Sequence, residues 1–233
     1  MRIVTWNCQM GLDKKMDALL SLNPDVAVVP ECSEKAAIAL PQRGFNTLWF
    51  GCNQHKGLGV ICRQDWPMRA LPQPEQKWIA PIEVGAPTPF TLIAVWACRV
   101  GTRNVHNYVG QIYYALTSHP EWFNGSPVVL AGDLNSNKGW DERHEVINHS
   151  SVVGILAERG MLSGYHEYFN EWQGRETRPT IYFYRRNDRT FHIDYIFVPK
   201  TWKLELAEVG GFEKWSKLSD HCPVIVDVAA STI

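Results

Sequence analysis

Five apolar runs in this sequence end in, or contain, side chains that can bind cations or move protons. Asn7 follows "RIVTW", Glu31 follows "DVAVVP", Asp133 and Asn135 follow "PVVLAG", Asp194 sits inside "FHIDYIF", and Asp220 with His221 precedes "PVIVDV". Taken singly, each is what a turn or strand end ordinarily carries. Together they offer carboxylate and amide oxygens without a thiolate or a histidine cluster, the donor preference of a hard cation such as Mg²⁺ or Mn²⁺ and not of zinc. A cation held this way keeps positions open for phosphate oxygens. A phosphodiester repels nucleophiles, so its hydrolysis needs neutralised equatorial oxygens, an in-line hydroxide and a stabilised leaving alkoxide. An imidazole held by a carboxylate keeps one tautomer and a raised pKa, and can carry positive charge toward the phosphate.

Other hydrolytic chemistries lack their residues. There is no G-x-S-x-G elbow and no G-x-x-x-x-G-K-S/T loop, and "HEVINH" at 144–149 spaces its histidines five apart where a zinc-binding H-E-x-x-H helix needs four.

Strands must position most of these groups. Short β-branched or aromatic stretches bounded by Gly, Pro or polar residues recur along the chain: "RIVTW", "DVAVVP", "FNTLWF", "GLGVICR", "WIAPIEV", "TLIAVWA", "PVVLAGD", "TIYFY", "FHIDYIFV", "KLELAEV" and "PVIVDVA". Several are continuously apolar, which predicts sheets covered on both faces. Helical spacing appears in "DKKMDALLSL", in "HNYVGQIYYALTSH" through Val109, Ile112 and Leu116, and in "EVINHSSVVGILAERG", which closes on Gly160 at a helix C-terminus. Two packed sheets flanked by helices satisfy both patterns.

At 233 residues and 45% hydrophobic content the chain can bury a large core, and no linker or repeat divides it, so residues 1–233 are expected to form one domain. The formal charge of −1, from 23 basic and 24 acidic side chains, gives no global field for a polyanion. Any basic footprint must be local. No stretch approaches the ~18 apolar residues of a membrane span, and the start lacks a signal-peptide core. A cytoplasmic protein without membrane contact or an obligate protein partner is expected. The six cysteines form no C-x-x-C pair and mostly sit beside apolar runs, which predicts reduced, buried thiols.

The stretches "TWNCQMG" at 5–11, "PECSE" at 30–34, "AGDLNSN" at 131–137, "HIDYIFVP" at 192–199 and "SDHCP" at 219–223 resemble, in order, the motifs of the endonuclease/exonuclease/phosphatase superfamily. That superfamily includes exonuclease III, abasic-site endonucleases and pancreatic-type deoxyribonuclease. Each motif alone is weak; five in order across the whole chain are specific. The resemblance implies an α/β fold, a four-layer α/β/β/α sandwich of two packed mixed sheets flanked by helices. It implies that Glu31 holds Mg²⁺ or Mn²⁺ with Asn7 and Asp220 close by, that Asp133 orients or deprotonates the attacking water, and that Asn135 donates to a non-bridging phosphate oxygen. Asp194 would hydrogen-bond His221, whose other ring nitrogen faces the phosphate.

The sequence also departs from the family. Abasic-site enzymes carry an acid two residues after the first-strand asparagine, where Gln9 stands here. Deoxyribonuclease-type members place a histidine where "LIAVWACRV" has Trp96, so a phosphate contact from that strand must be supplied otherwise. Tyr108 is a candidate, either as that contact or as an amphipathic-helix residue; His106 is a weaker one. Trp140, Trp172 and Trp215 fall in polar segments and could stack on bases, or pack beneath loops. In "RETRPTIYFYRRNDR" at 175–189, Arg185, Arg186 and Tyr182 belong to an arginine- and aromatic-rich stretch that fits a phosphate-gripping surface, or a solvated hairpin. The expected activity is metal-dependent hydrolysis of DNA phosphodiesters, of the 3′-5′ exonuclease or abasic-site endonuclease type, with RNA a further candidate. The alternatives are a phosphoesterase for a small-molecule or lipid phosphate, and a catalytically silent phosphate-binding module.

Overall fold

Most of the β-branched runs become strands that bury both faces, while the edge strands from "FNTLWF" and "KLELAEV" stay largely half-buried or exposed, and this decides the layering. The structure, a computed structural model, describes residues 1–101, 106–142 and 146–230; part of "HEVINH", including His144, lies outside them. With strands numbered along the chain, one sheet runs in spatial order β13 (Lys203–Val209), β14 (Val224–Ala229), β1 (Arg2–Thr5), β2 (Val26–Cys32), β4 (Lys56–Arg63) and β3 (Phe45–Asn53). The other runs β5 (Met68–Ala70), β6 (Ile79–Val84), β7 (Phe90–Trp96), β8 (Val128–Asp133), β12 (Asp194–Pro199) and β9 (Met161–Ser163). The pairs β1/β2 and β7/β8 are parallel and their neighbours antiparallel, so both sheets are mixed. β10 (Ile181–Tyr182) and β11 (Thr190–Phe191) form a separate small ribbon.

Alternation sends one set of side chains between the sheets and the other outward. Ile3, Val28 and Val60 meet Leu92, Val129 and Ile196 in the inner core. The outward Val4, Ala27 and Val29 are covered by α1 (Met16–Leu20) and α2 (Glu34–Ala39) through Leu19, Ala36 and Ala37. On the far side Ile93, Val95 and Leu130 are covered by α3 (Val109–Ser118) and α4 (His149–Glu158) through Ile112, Leu116, Val152 and Leu156. The result is the expected helix–sheet–sheet–helix sandwich. Two short helices, α5 (Gly164–Phe169) and α6 (Phe212–Trp215), complete it. No helix among the described residues is long and apolar enough to cross a membrane.

Local signals set the helix limits. Asn148 and Ser151 form a reciprocal capping box at the start of α4, and Gly160 takes φ 75 just past its end. "TIYFY" yields only the two-residue β10, because Phe183–Arg185 turns into a helical bend in which Tyr184 and Arg185 adopt φ 57 and 56. The cysteines are unpaired, and four of the six are buried.

The tightest packing constraint lies beside the expected site. Gly132, at φ 146, sits so close to β7 that a Cβ would lie 1.8 Å from the Val95 carbonyl oxygen. Gly132→Ala is therefore expected to lower stability by about 2 kcal/mol or more through backbone strain and overlap. A chemical denaturation midpoint equal to wild type would contradict the packing described.

Candidate active site

Backbone register places two rows of side chains at one end of the sandwich. In the second sheet Trp96 pairs with Asp133, and Asp133 with Asp194, across β7, β8 and β12. In the first sheet His221 precedes β14, Asn7 follows β1, Glu31 lies in β2 and Lys56 opens β4. The rows meet side chain to side chain. His221 Nδ1 donates to Asp194 Oδ2 at 2.8 Å. Asn7 Nδ2 donates to Asp133 Oδ2 at 3.0 Å and reaches Glu31 Oε1 at 3.5 Å. Lys56 Nζ lies 3.1 Å from Glu31 Oε1 and 4.9 Å from the centre of the Trp96 ring.

The local fold explains each placement. Glu31 occupies a bulge in β2 between Pro30 and Cys32 and takes φ 63, a turn that re-aims its side chain. Asn7 has its Oδ1 occupied by the Gln9 N–H, which directs its amide N–H groups at the two acids. Asn7 thus acts here as a donor that fixes carboxylates. Asn135 adopts φ 47, a conformation asparagine tolerates well, and its N–H donates to Asp133 Oδ1 at 2.8 Å. Thr180 Oγ1 accepts the N–H groups of Ile193 and Asp194 and so fixes the start of β12. Ser219 Oγ donates to the Asn7 carbonyl and accepts from the His221 N–H, and Trp6 Nε1 donates to the His221 carbonyl.

Burial and charge then set the proton affinities. Asp133 is fully buried, and burial, reinforced by Asp194, raises its pKa from 3.8 to about 7. His221 feels burial in the opposite direction, but Asp194, by charge and hydrogen bond, and Asp133 outweigh it and raise the imidazole to about 10. A cationic His221 therefore stands beside a carboxyl group poised near neutrality, the range suited to a general base. Asp133, Asp194 and His221 also bring potential metal-ligating atoms within 4.8 Å of one another.

The remaining expected residues divide. Asp220 is half-buried, with its carbonyl accepting from Tyr182 N, and Lys15 lies in the electrostatic reach of Asp220, Glu31 and Arg185. Arg185 crosses from the hairpin to donate to Gln9 Oε1 at 2.7 Å. Arg186 instead forks onto Asp188. Tyr182 packs on Phe212, and Trp140 packs on Phe191 while remaining 39% exposed. Tyr108 stands half-exposed at the start of α3 with φ 49, its hydroxyl hydrogen-bonded to none of the described residues. Trp172 is exposed, whereas Trp215 is buried edge-on against Trp6 and is no base-stacking surface.

Sequence reasoning missed Lys56, Ser219, Thr180 and the support of the "AGDLNSN" loop. Asn137 in that loop donates to the His192 carbonyl and to Glu176, whose own pKa is driven down to about 2, against burial, by His166 and the Gly174 N–H. For Ser219 the signal was its place within "SDH"; the others carry none that a linear pattern displays.

The family model described as "Endonuclease/Exonuclease/phosphatase family" matches residues 4–221. No curated protein is significantly similar to the chain. Among solved structures it resembles the 3′ phosphatase NExo from Neisseria bound to product DNA hairpin, with TM-score 0.72, 21% identity, and coverage of 99% of this chain and 100% of that one. It also resembles the 3′-5′ exonuclease NExo from Neisseria meningitidis, with TM-score 0.71, 22% identity and coverage of 98% and 99%. An AP endonuclease from Archaeoglobus fulgidus has TM-score 0.68, 14% identity and coverage of 99% and 100%. At these identities the likeness is one of fold.

The Asp194–His221 pair has a defined pH signature. Because His221 titrates at about 10 folded against 6.5 as an ordinary imidazole, its contribution to stability is fully present below about pH 6.5 and is lost as pH rises through 10. Asp194→Asn should drop the His221 pKa and flatten stability across pH 6.5–10, as followed by ring-proton NMR and melting. A His221 titration identical to wild type would uncouple the two residues.

Proposed function

We propose that this chain, which belongs to the endonuclease/exonuclease/phosphatase family, hydrolyses phosphate esters of DNA with a divalent cation, at a 3′ end or an abasic site. The observation that carries this reading is the buried Asp133, held by Asn7 and the Asn135 N–H beside the charged Asp194–His221 pair. Asp133, with a pKa of about 7, takes the proton of the attacking water. His221 offers its Nε2 N–H and positive charge to a phosphate oxygen, because Nδ1 is committed to Asp194. Asn135, next to Asp133 on a left-handed turn, supplies an amide N–H to a second phosphate oxygen.

The donor set fits a hard cation. Glu31 and Asp220 offer carboxylates, while the neighbouring thiols stay protonated, burial pushing Cys32 up to about 12 and Cys8 well above the ordinary thiol range. A cationic His221 has no lone pair to offer, which favours Glu31 and Asp220 as the residues that hold the ion, with Asn7 keeping Glu31 in place. When bound, Mg²⁺ or Mn²⁺ would bring positive charge to the scissile phosphate and the leaving oxygen. What the related structures are said to bind or act on, a product DNA hairpin and 3′ ends, supports DNA as the substrate class.

The net charge of −1 and the Arg186–Asp188 pair favour a second reading, a small soluble phosphate ester. Assay of abasic, 3′-phosphorylated and unmodified oligonucleotides beside small phosphate esters separates the two.

Chelation is expected to abolish turnover, and Glu31→Gln, Asp133→Asn or His221→Ala to reduce kcat by roughly 10²–10⁴-fold. Wild-type rates in these variants would end the assignment. Arg185, whose partner is the neutral Gln9, should contribute to polyanion binding, and Arg186, already neutralised, should not. Arg185→Ala is expected to flatten the log–log salt dependence of DNA affinity by about 0.7–0.9, and Arg186→Ala to leave it nearly unchanged. Anisotropy titrations across salt concentrations measure both slopes.

A further inference from the structure

The contact between Lys56 and Glu31 belongs to none of the roles above. Lys56 opens β4, and its ammonium sits at 3.1 Å from the oxygen of Glu31 that the Asn7 amide also approaches. The same ammonium lies over the face of Trp96, at 4.9 Å from the ring centre. Trp96 stands directly across from Asp133 in the β7/β8 register and is itself buried, stacked obliquely on Trp78. Lys56 is therefore anchored at two points inside the row of side chains that crosses between the sheets. It is only partly exposed, at 37% of its side chain.

Two demands meet there. Glu31 is the carboxylate best placed to hold a divalent cation, and an ammonium at one of its oxygens competes with that cation by charge and by space. A phosphate entering the site gains from added positive charge, and on the β7 side Trp96 supplies no charge and no hydrogen-bond group beyond its indole N–H. A lysine meets both because its ammonium is a compact charge on a flexible four-carbon stem. An aromatic face can retain that charge after Glu31 lets it go.

We infer that Lys56 is a phosphate-binding cation of this site, stored on Glu31 in the absence of a divalent ion and released toward the substrate when that ion takes the carboxylate. The inference rests on the metal-dependent reading above. It makes the free enzyme a weaker metal binder than its carboxylates alone would allow. Partly exposed ion pairs are weak, so the competition is modest and reversible.

The test is calorimetric titration of the nucleic-acid-free protein with Mn²⁺, together with KM for a single-stranded oligonucleotide substrate in saturating Mn²⁺. Lys56→Met and Lys56→Gln should each bind Mn²⁺ about three- to tenfold more tightly than wild type. The same variants should raise KM several-fold and flatten its log–log salt dependence by about 0.7. Lys56→Arg, which keeps the charge, should restore most of both properties. Mn²⁺ affinity that is unchanged or weaker in the Met and Gln variants overturns the inference, as does an unchanged KM. Glu31→Gln separates the two levels. If it abolishes Mn²⁺ binding while the Lys56 variants bind as wild type, only the role of Lys56 falls. If Glu31→Gln leaves Mn²⁺ binding intact, the placement of the metal fails and the role of Lys56 goes with it.

Discussion

Asp133 and Asp194 stand opposite one another on adjacent antiparallel strands, both without solvent exposure. Like charges directly across a ladder repel, and burial sharpens the repulsion. Within the second sheet Asp133 gains only the Asn135 N–H, a neutral donor, among the described residues. Relief comes from the first sheet, where His221 delivers a positive ring to Asp194 and Asn7 delivers an amide N–H to Asp133. The acids are therefore tolerable only when the two sheets are docked, and the docked sheets form the site. Breaking a buried pair of this kind typically costs about 3–5 kcal/mol, so assembly of the chemistry and closure of the sandwich are thermodynamically coupled.

The remaining architecture keeps that junction in register. Strained turns flank it: Gln9, Met10 and Glu31, beside Asn7 and in the β2 bulge, have positive φ without being glycine. Such conformations cost roughly 1–3 kcal/mol each and persist where surrounding contacts overdetermine them. Those contacts are visible. Lys15 donates to the carbonyls of Cys8 and Met10 and clamps the turn after Asn7, while the β2 bulge is framed by ladder bonds to β4. Gly132 lets β8 approach β7 closely enough to bring Trp96 and Asp133 level.

The sandwich and the polar groups at its strand ends were legible because both are written locally, as apolar runs closed by acids and amides. Short edge elements were not. β5 and β9 span three residues each, and α5 and α6 six and four, too few for any period to register. Trp215 sits among polar neighbours in sequence yet lies 4.9 Å from Trp6, because its partner arrives from the opposite end of the chain. Lys56 escaped notice for the same reason: its meaning comes from Glu31 on the next strand and Trp96 on the facing sheet. Likewise the arginine-rich hairpin looked uniform in sequence, and only the fold distinguishes Arg185, turned to Gln9, from Arg186, spent on Asp188.

The cysteines carry a consequence of a different kind. Cys8 and Cys32 adjoin Asn7 and Glu31, where an oxidised sulfur would distort the site. Burial drives Cys8 well above the ordinary thiol range and holds Cys32, Cys62 and Cys222 near 12 and Cys98 near 11. The thiolate is the form that reacts with peroxides, disulfides and alkylating agents. Five of the six sulfurs are thus kept chemically quiet, and Cys52, the exposed one at the far end of β3, is left as the handle for covalent labelling. Because Cys52 neighbours Asn53, the register partner of Lys56, a fluorophore attached there would sit at the rim of the candidate site and report on it.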